Sequence, residues 1–101
     1  FRKNTMLLGQ VRELSFDQAE RRIARTLLNL AAQYGRPCPE GVRISIRFTH
    51  QDVAGIINTS RITTNKVMKR MEEEGILLKR EGRYILRALP ALERLARGEG
   101  Q

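Results

Sequence analysis

Ser60, Arg61, Thr63, Thr64, Asn65, Lys66 and Lys69 crowd one short stretch of this chain. Each of these side chains can donate a hydrogen bond, and three of them are cations. The acids Glu72, Glu73 and Glu74 follow in a block. A run of donors without a carboxylate suits phosphate oxygens and the base edges between them. On a helix the dipole favours acids at the N-terminus and bases at the C-terminus, the reverse of this order. A face that served solubility alone has no reason to carry it.

Other chemistry is poorly provided for. The single histidine, His50, and the single cysteine, Cys38, fall in separate segments. No Ser-His-Asp set, metal-ligand cluster or glycine-rich phosphate loop is apparent, so an enzyme is not expected. Cys38 sits in Arg36-Pro37-Cys38-Pro39 and cannot form an internal disulfide; a reducing, cytoplasmic setting fits. Lys and Arg number 19 against 11 Asp and Glu, a net charge of +8 on 101 residues. That excess points to a polyanionic partner. No apolar run approaches the roughly 20 residues that span a bilayer. No segment pairs a basic face with bulky aromatics, which argues against a membrane surface. RNA is disfavoured because the A-form major groove excludes a helix and no aromatic platform is present to stack bases.

The elements that must position these donors follow from periodicity. Met6, Leu7, Val11 and Leu14 recur at helical spacing, so residues 1–14 read as the end of a longer helix. Phe1 in place of a methionine points the same way, to a piece of a longer protein. Ser15 with Gln18, or Asp17 with Glu20, offers a capping box for a helix running to Tyr34. Its apolar stripe is Ile23, Leu27, Leu30 and Tyr34, opposite Arg22, Arg25, Asn29 and Gln33, and Gly35 is the expected stop. Residues 35–41 read as loop. Val42, Ile44 and Ile46 then alternate with Arg43, Ser45 and Arg47, a half-buried strand with one basic face.

Thr49 can cap a short helix, 50–57, with Asp52 in its first turn and Val53, Ala54, Ile56 and Ile57 inward or near it. Asn58, tolerant of left-handed backbone, makes the turn with Thr59. Ser60 caps a longer helix, 61–74, whose apolar residues are Val67, Met68 and Met71; Gly75 ends it. Strands Ile76–Lys79 and Arg83–Leu86 flank Arg80-Glu81-Gly82, a hairpin wing over 76–86. Pro90 suits the start of a last helix docked by Leu92 and Leu95. Two helices joined by a tight turn cross steeply, so the second protrudes and fits a major groove about 12 Å wide. The expected class is mainly α with a small β-sheet (α+β), a winged helix-turn-helix.

From Leu14 onward the chain resembles the Crp/Fnr family of transcription regulators. The resemblance rests on Arg22-Ile23-Ala24-Arg25-Thr26-Leu27-Leu28-Asn29-Leu30-Ala31, Thr49-His50-Gln51-Asp52-Val53-Ala54, Thr59-Ser60-Arg61 and Gly75-Ile76-Leu77. It implies a homodimeric regulator with an effector-binding β-barrel and a long dimerisation helix. Residues 1–14 would then be the end of that helix and its hinge, and 15–101 the winged helix-turn-helix domain. The barrel has no counterpart in these residues, so no cofactor is expected in this chain. The resemblance further implies double-stranded DNA as partner, with RNA polymerase a second. Arg61 would read a guanine and Lys66 a base or phosphate, with Ile62 between them also facing bases. Thr49, Gln51, Ser60, Thr63, Lys69, Arg80 and Arg83 would hold phosphates. Ile62 stands where well-known members carry glutamate, which accepts from cytosine N4; isoleucine offers only apolar contact, for example to a thymine methyl. That departure speaks against the family's familiar half-site. A winged helix that binds protein keeps this fold but loses the cationic second helix, so Arg61, Lys66, Lys69, Arg80 and Arg83 weigh against that alternative.

Overall fold

The computed structural model describes residues 15–98. The stripe of Met6, Leu7, Val11 and Leu14, and the hinge expected at 1–14, lie outside these residues.

Helix α1 (Phe16–Tyr34) starts at the Ser15–Gln18 capping box. The Ser15 hydroxyl accepts from the Gln18 N–H at 3.1 Å, and Gln18 Oε1 accepts from the Ser15 N–H at 3.0 Å. The same device starts α2 (His50–Ile57), where Thr49 and Asp52 satisfy each other's backbone N–H groups. Asn58 ends α2 in the left-handed conformation, φ 60° and ψ 51°, as its short polar side chain permits. Ser60 caps α3 (Arg61–Glu73), which stops one residue sooner than its pattern predicts.

The run 35–41, expected to be loop, instead forms a hairpin, β1 (Gly35–Cys38) and β2 (Gly41–Ile44). Pro37 disguises β1, yet a proline is tolerated at a sheet edge, and β1 is an edge strand here. Strand β3 (Leu77–Arg80) and β4 (Arg83–Leu86) complete an antiparallel sheet of order β1-β2-β4-β3. β4 pairs with both neighbours, setting Leu86 opposite Val42 on one side and Leu77 on the other. The wing is therefore half of a four-stranded sheet rather than a free flap. Its loop is two residues, Glu81 and Gly82, with φ 55° and 80°; positive φ at both positions matches the right-handed twist of the strands. Helix α4 (Leu89–Ala96) closes the fold against α1.

One core joins the layers. Ile23 and Leu27 of α1, Ile44 of β2, Val67, Met68 and Met71 of α3, Leu86 of β4 and Leu92 of α4 are all fully buried. Burying one such side chain contributes about 1.5–3 kcal/mol. Two expectations need correction. Ile56 is 62% exposed, on the outward side of α2. Tyr34 is 40% exposed, because α1 outruns the core by its last turn. Gly35 ends α1 as expected, in extended backbone with φ −77°. Glycine is needed there for closeness: a Cβ would sit 2.2 Å from the Ala31 carbonyl oxygen.

Candidate nucleic-acid interface

α3 has two faces set by its 3.6-residue period. Thr64, Val67, Met68 and Met71 fill the inner one. Thr64 is fully buried, not on the surface with the other donors; its hydroxyl donates to the Ser60 carbonyl at 3.0 Å. That internal bond removes the cost of burying the hydroxyl. Ile62, Lys66 and Lys69, spaced four and three apart, form the middle of the outer face. Ile62 is 68% exposed, a large apolar side chain held in solvent. Arg61 and Asn65 flank this stripe, both exposed.

The cap of α3 is a small relay. Ser60 Oγ accepts from the Thr63 N–H at 3.1 Å and donates to Thr63 Oγ1, also at 3.1 Å. The Ser60 proton is thereby used, and the Thr63 proton is left to donate outward. Thr49 is likewise a cap whose hydroxyl oxygen accepts from the Asp52 N–H, leaving its own proton to donate. Gln51 is exposed in the first turn of α2. Thr49 and Gln51 thus lie at the N-terminus of α2, and Ser60 and Thr63 at that of α3, where backbone dipoles also favour an anion.

The wing cations are placed differently. Arg80 forms an ion pair with Glu40, from the loop between β1 and β2. Arg83 Nε donates to the Ser45 carbonyl at 2.8 Å. Lys79 lies over the Tyr84 ring, 5.4 Å from its centroid. Among the described residues, Arg61, Lys66 and Lys69 have no such partner.

Some polar residues with tertiary roles escape a reading by local pattern. Arg22 Nη1 donates to the Ile57 carbonyl at 3.5 Å, at the C-terminus of α2. Arg25 Nε donates to the Ala96 carbonyl at 3.1 Å, at the end of α4. Each sets a cation against the negative end of a helix. With Gln18 and Arg21 they line a basic cleft on α1. His50 reaches α3, its Nδ1 2.7 Å from Asn65 Oδ1. Only the long-range fold pairs these groups, so no local signal marks them.

Residues 21–95 match the family model of the Crp-like helix-turn-helix domain. The chain belongs to this family. It is thus a Crp-like winged helix domain, of a class that binds DNA in transcription regulation. The cAMP-activated global transcriptional regulator Vfr of Pseudomonas aeruginosa is 36% identical over 77 residues, 75% of this chain and 34% of that protein. The cAMP-activated global transcriptional regulator CRP of Salmonella typhimurium is 36% identical over 69 residues, 67% of this chain and 32% of that protein. The chain therefore spans about a third of the length of these relatives. They are transcriptional regulators, not enzymes. Among solved structures, a CRP-family transcriptional regulator from Thermus thermophilus superposes with a TM-score of 0.68 at 30% identity, over 77% of this chain and 40% of that one. The CO-dependent transcription factor CooA from Carboxydothermus hydrogenoformans gives 0.74 at 23% identity, over 80% and 38%, a likeness of fold alone. Among the described residues no helix is long and apolar enough to cross a membrane.

Proposed function

We propose that this Crp-like domain reads a specific double-stranded DNA sequence as part of a bacterial, cytoplasmic transcription regulator. α3 lies in the major groove. Arg61 reaches a guanine, Ile62 meets apolar base atoms, and Lys66 contacts a base edge. Thr49, Gln51, Thr63 and Lys69 hold phosphates, Ser60 acts there through Thr63, and Arg80 and Arg83 bring the wing to the backbone. The intact regulator is a homodimer with one half-site per domain, and RNA polymerase is a further partner. One observation carries this reading: among the described residues, Arg61, Lys66 and Lys69 stand without a partner on the outer side of a helix whose first turn also offers hydroxyl and backbone donors. A protein's own surface has little use for so many unanswered donors, whereas a phosphate track answers them.

Salt tests it. Lys69, Arg80 and Arg83 at phosphates predict a log K against log salt slope of about −2 to −3 per domain, from counterion release. Fluorescence anisotropy with a labelled duplex at several salt concentrations measures it. A flat slope would remove the electrostatic basis of the proposal and favour a protein-binding winged helix.

A further inference from the structure

His50 opens α2, yet its side chain serves α3. The ring stacks on Tyr84 with centroids 6.2 Å apart and planes 28° from parallel. Tyr84 is 1% exposed and packs in turn on Phe48, centroids 4.9 Å apart. The imidazole thus rests on a fixed platform, and its Nδ1 edge meets Asn65 Oδ1 at 2.7 Å. A carbonyl oxygen only accepts, so Nδ1 carries the proton. Asn65 is exposed, three residues after Ile62 and four after Arg61, which puts it beside both on the outward part of α3. Among the described residues its Nδ2 has no partner.

An unconstrained asparagine offers an acceptor and a donor together, the pair that reads adenine N6 and N7. In Asn65, His50 takes one of the two lone pairs of Oδ1 and turns that oxygen toward α2, so the NH2 group is the part of the amide left to face outward. We infer that His50 is a positioning residue that sets base preference at Asn65. By holding Oδ1 it turns Asn65 from a reader of adenine into a donor for acceptor-rich edges, guanine N7 and O6 or thymine O4. This rests on the placement of α3 in the major groove proposed above. A histidine that merely stapled α2 to α3 would alter stability and leave preference alone.

His50→Phe keeps a flat ring on Tyr84 and removes the Nδ1–H. Selection from a random duplex library, using the 101-residue chain, reads the result at the step facing Asn65. The unaltered chain enriches guanine or thymine there over adenine. In His50→Phe, adenine gains about tenfold relative to them, the discrimination of a bidentate pair. In an Asn65→Ala background the same substitution leaves that step unchanged. Imidazole 15N spectra of the unaltered chain supply a check that needs no variant to fold: Nδ1 is the protonated nitrogen. An Nε2–H tautomer, an unmoved preference in His50→Phe, or a shift that persists with Asn65→Ala overturns the inference and leaves the DNA reading standing. A chain that enriches no motif from the library overturns both.

Discussion

The outer face of α3 and the wing carry similar side chains in different states. Arg61, Lys66 and Lys69 on α3 have no protein partner among the described residues, while each cation of the wing is already engaged. Arg80 is paired with Glu40, Arg83 is bonded to the Ser45 carbonyl, and Lys79 covers the Tyr84 ring. A phosphate meeting α3 gains the full charge of each side chain. At the wing it must compete with a carboxylate or share a side chain that also ties β4 to the segment after β2. Counting cations along the chain treats these groups alike; the fold divides them into free charges for binding and charges spent on holding the wing. Exposed ion pairs contribute only about 0–1 kcal/mol, so Glu40 restrains Arg80 without abolishing its use.

The division is broken most severely at Arg61. Its planar fork matches guanine O6 and N7, worth about 1–3 kcal/mol of discrimination. Arg61→Ala is expected to lose preference at one guanine per half-site in library selection while random duplex is still bound. An unchanged motif would mean that α3 docks differently. A smaller change follows at Ile62, whose exposed side chain accepts no hydrogen bond. Ile62→Glu supplies an acceptor for cytosine N4 and should move preference toward cytosine on the opposite strand at the neighbouring step, by about tenfold. If affinity falls with no change of preference, Ile62 does not face bases.

Much of the frame that aims these residues was legible because it is local. The capping box at Ser15, the caps at Thr49 and Ser60, and left-handed Asn58 act within a few residues, so their spelling announces them. Thr64 was misplaced because its type outweighed its position: it completes the stripe of Val67, Met68 and Met71, and the Ser60 carbonyl satisfies its hydroxyl. β1 was hidden by Pro37, which edge pairing with β2 tolerates. The partners of the wing cations were not legible at all. Glu40 is 40 residues from Arg80, and Ser45 is 38 from Arg83. Such pairings exist only once β4 is laid between β2 and β3.

A third test sets the two regions directly against each other. Lys69→Ala should weaken all duplexes alike, by a few-fold at moderate salt, and reduce the salt slope by about 1. Arg80→Ala should do less, because Glu40 already screens that charge. Glu40→Gln then sharpens the contrast: with the carboxylate gone, non-specific affinity rises and the slope steepens. Anisotropy titrations of the three variants decide it. If Arg80→Ala matches Lys69→Ala and Glu40→Gln has no effect, the pairing of the wing cation does not limit its use.

The smallest effect, absent at neutral pH, concerns how the wing is seated. Tyr84 lies at its base, buried beneath Lys79 and against Phe48. Burial, with a lesser contribution from the negative charge of Glu72, pushes its phenol from the ordinary 10 up to about 12. The raised value means that the folded state holds the neutral phenol more firmly than the unfolded chain does. The corresponding stability is complete below pH 10 and is lost as the pH rises from 10 through 12. Thermal melts across that range should show a decline that Tyr84→Phe lessens, since phenylalanine fills the site and has no proton to lose. The cation above the ring supplies the link to the comparison. If Lys79 serves chiefly to cover Tyr84, Lys79→Met should keep the alkaline decline and cost little duplex affinity. A loss of affinity as large as that of Lys69→Ala would instead place Lys79 among the free charges, and the contrast between wing and helix would fail at that residue.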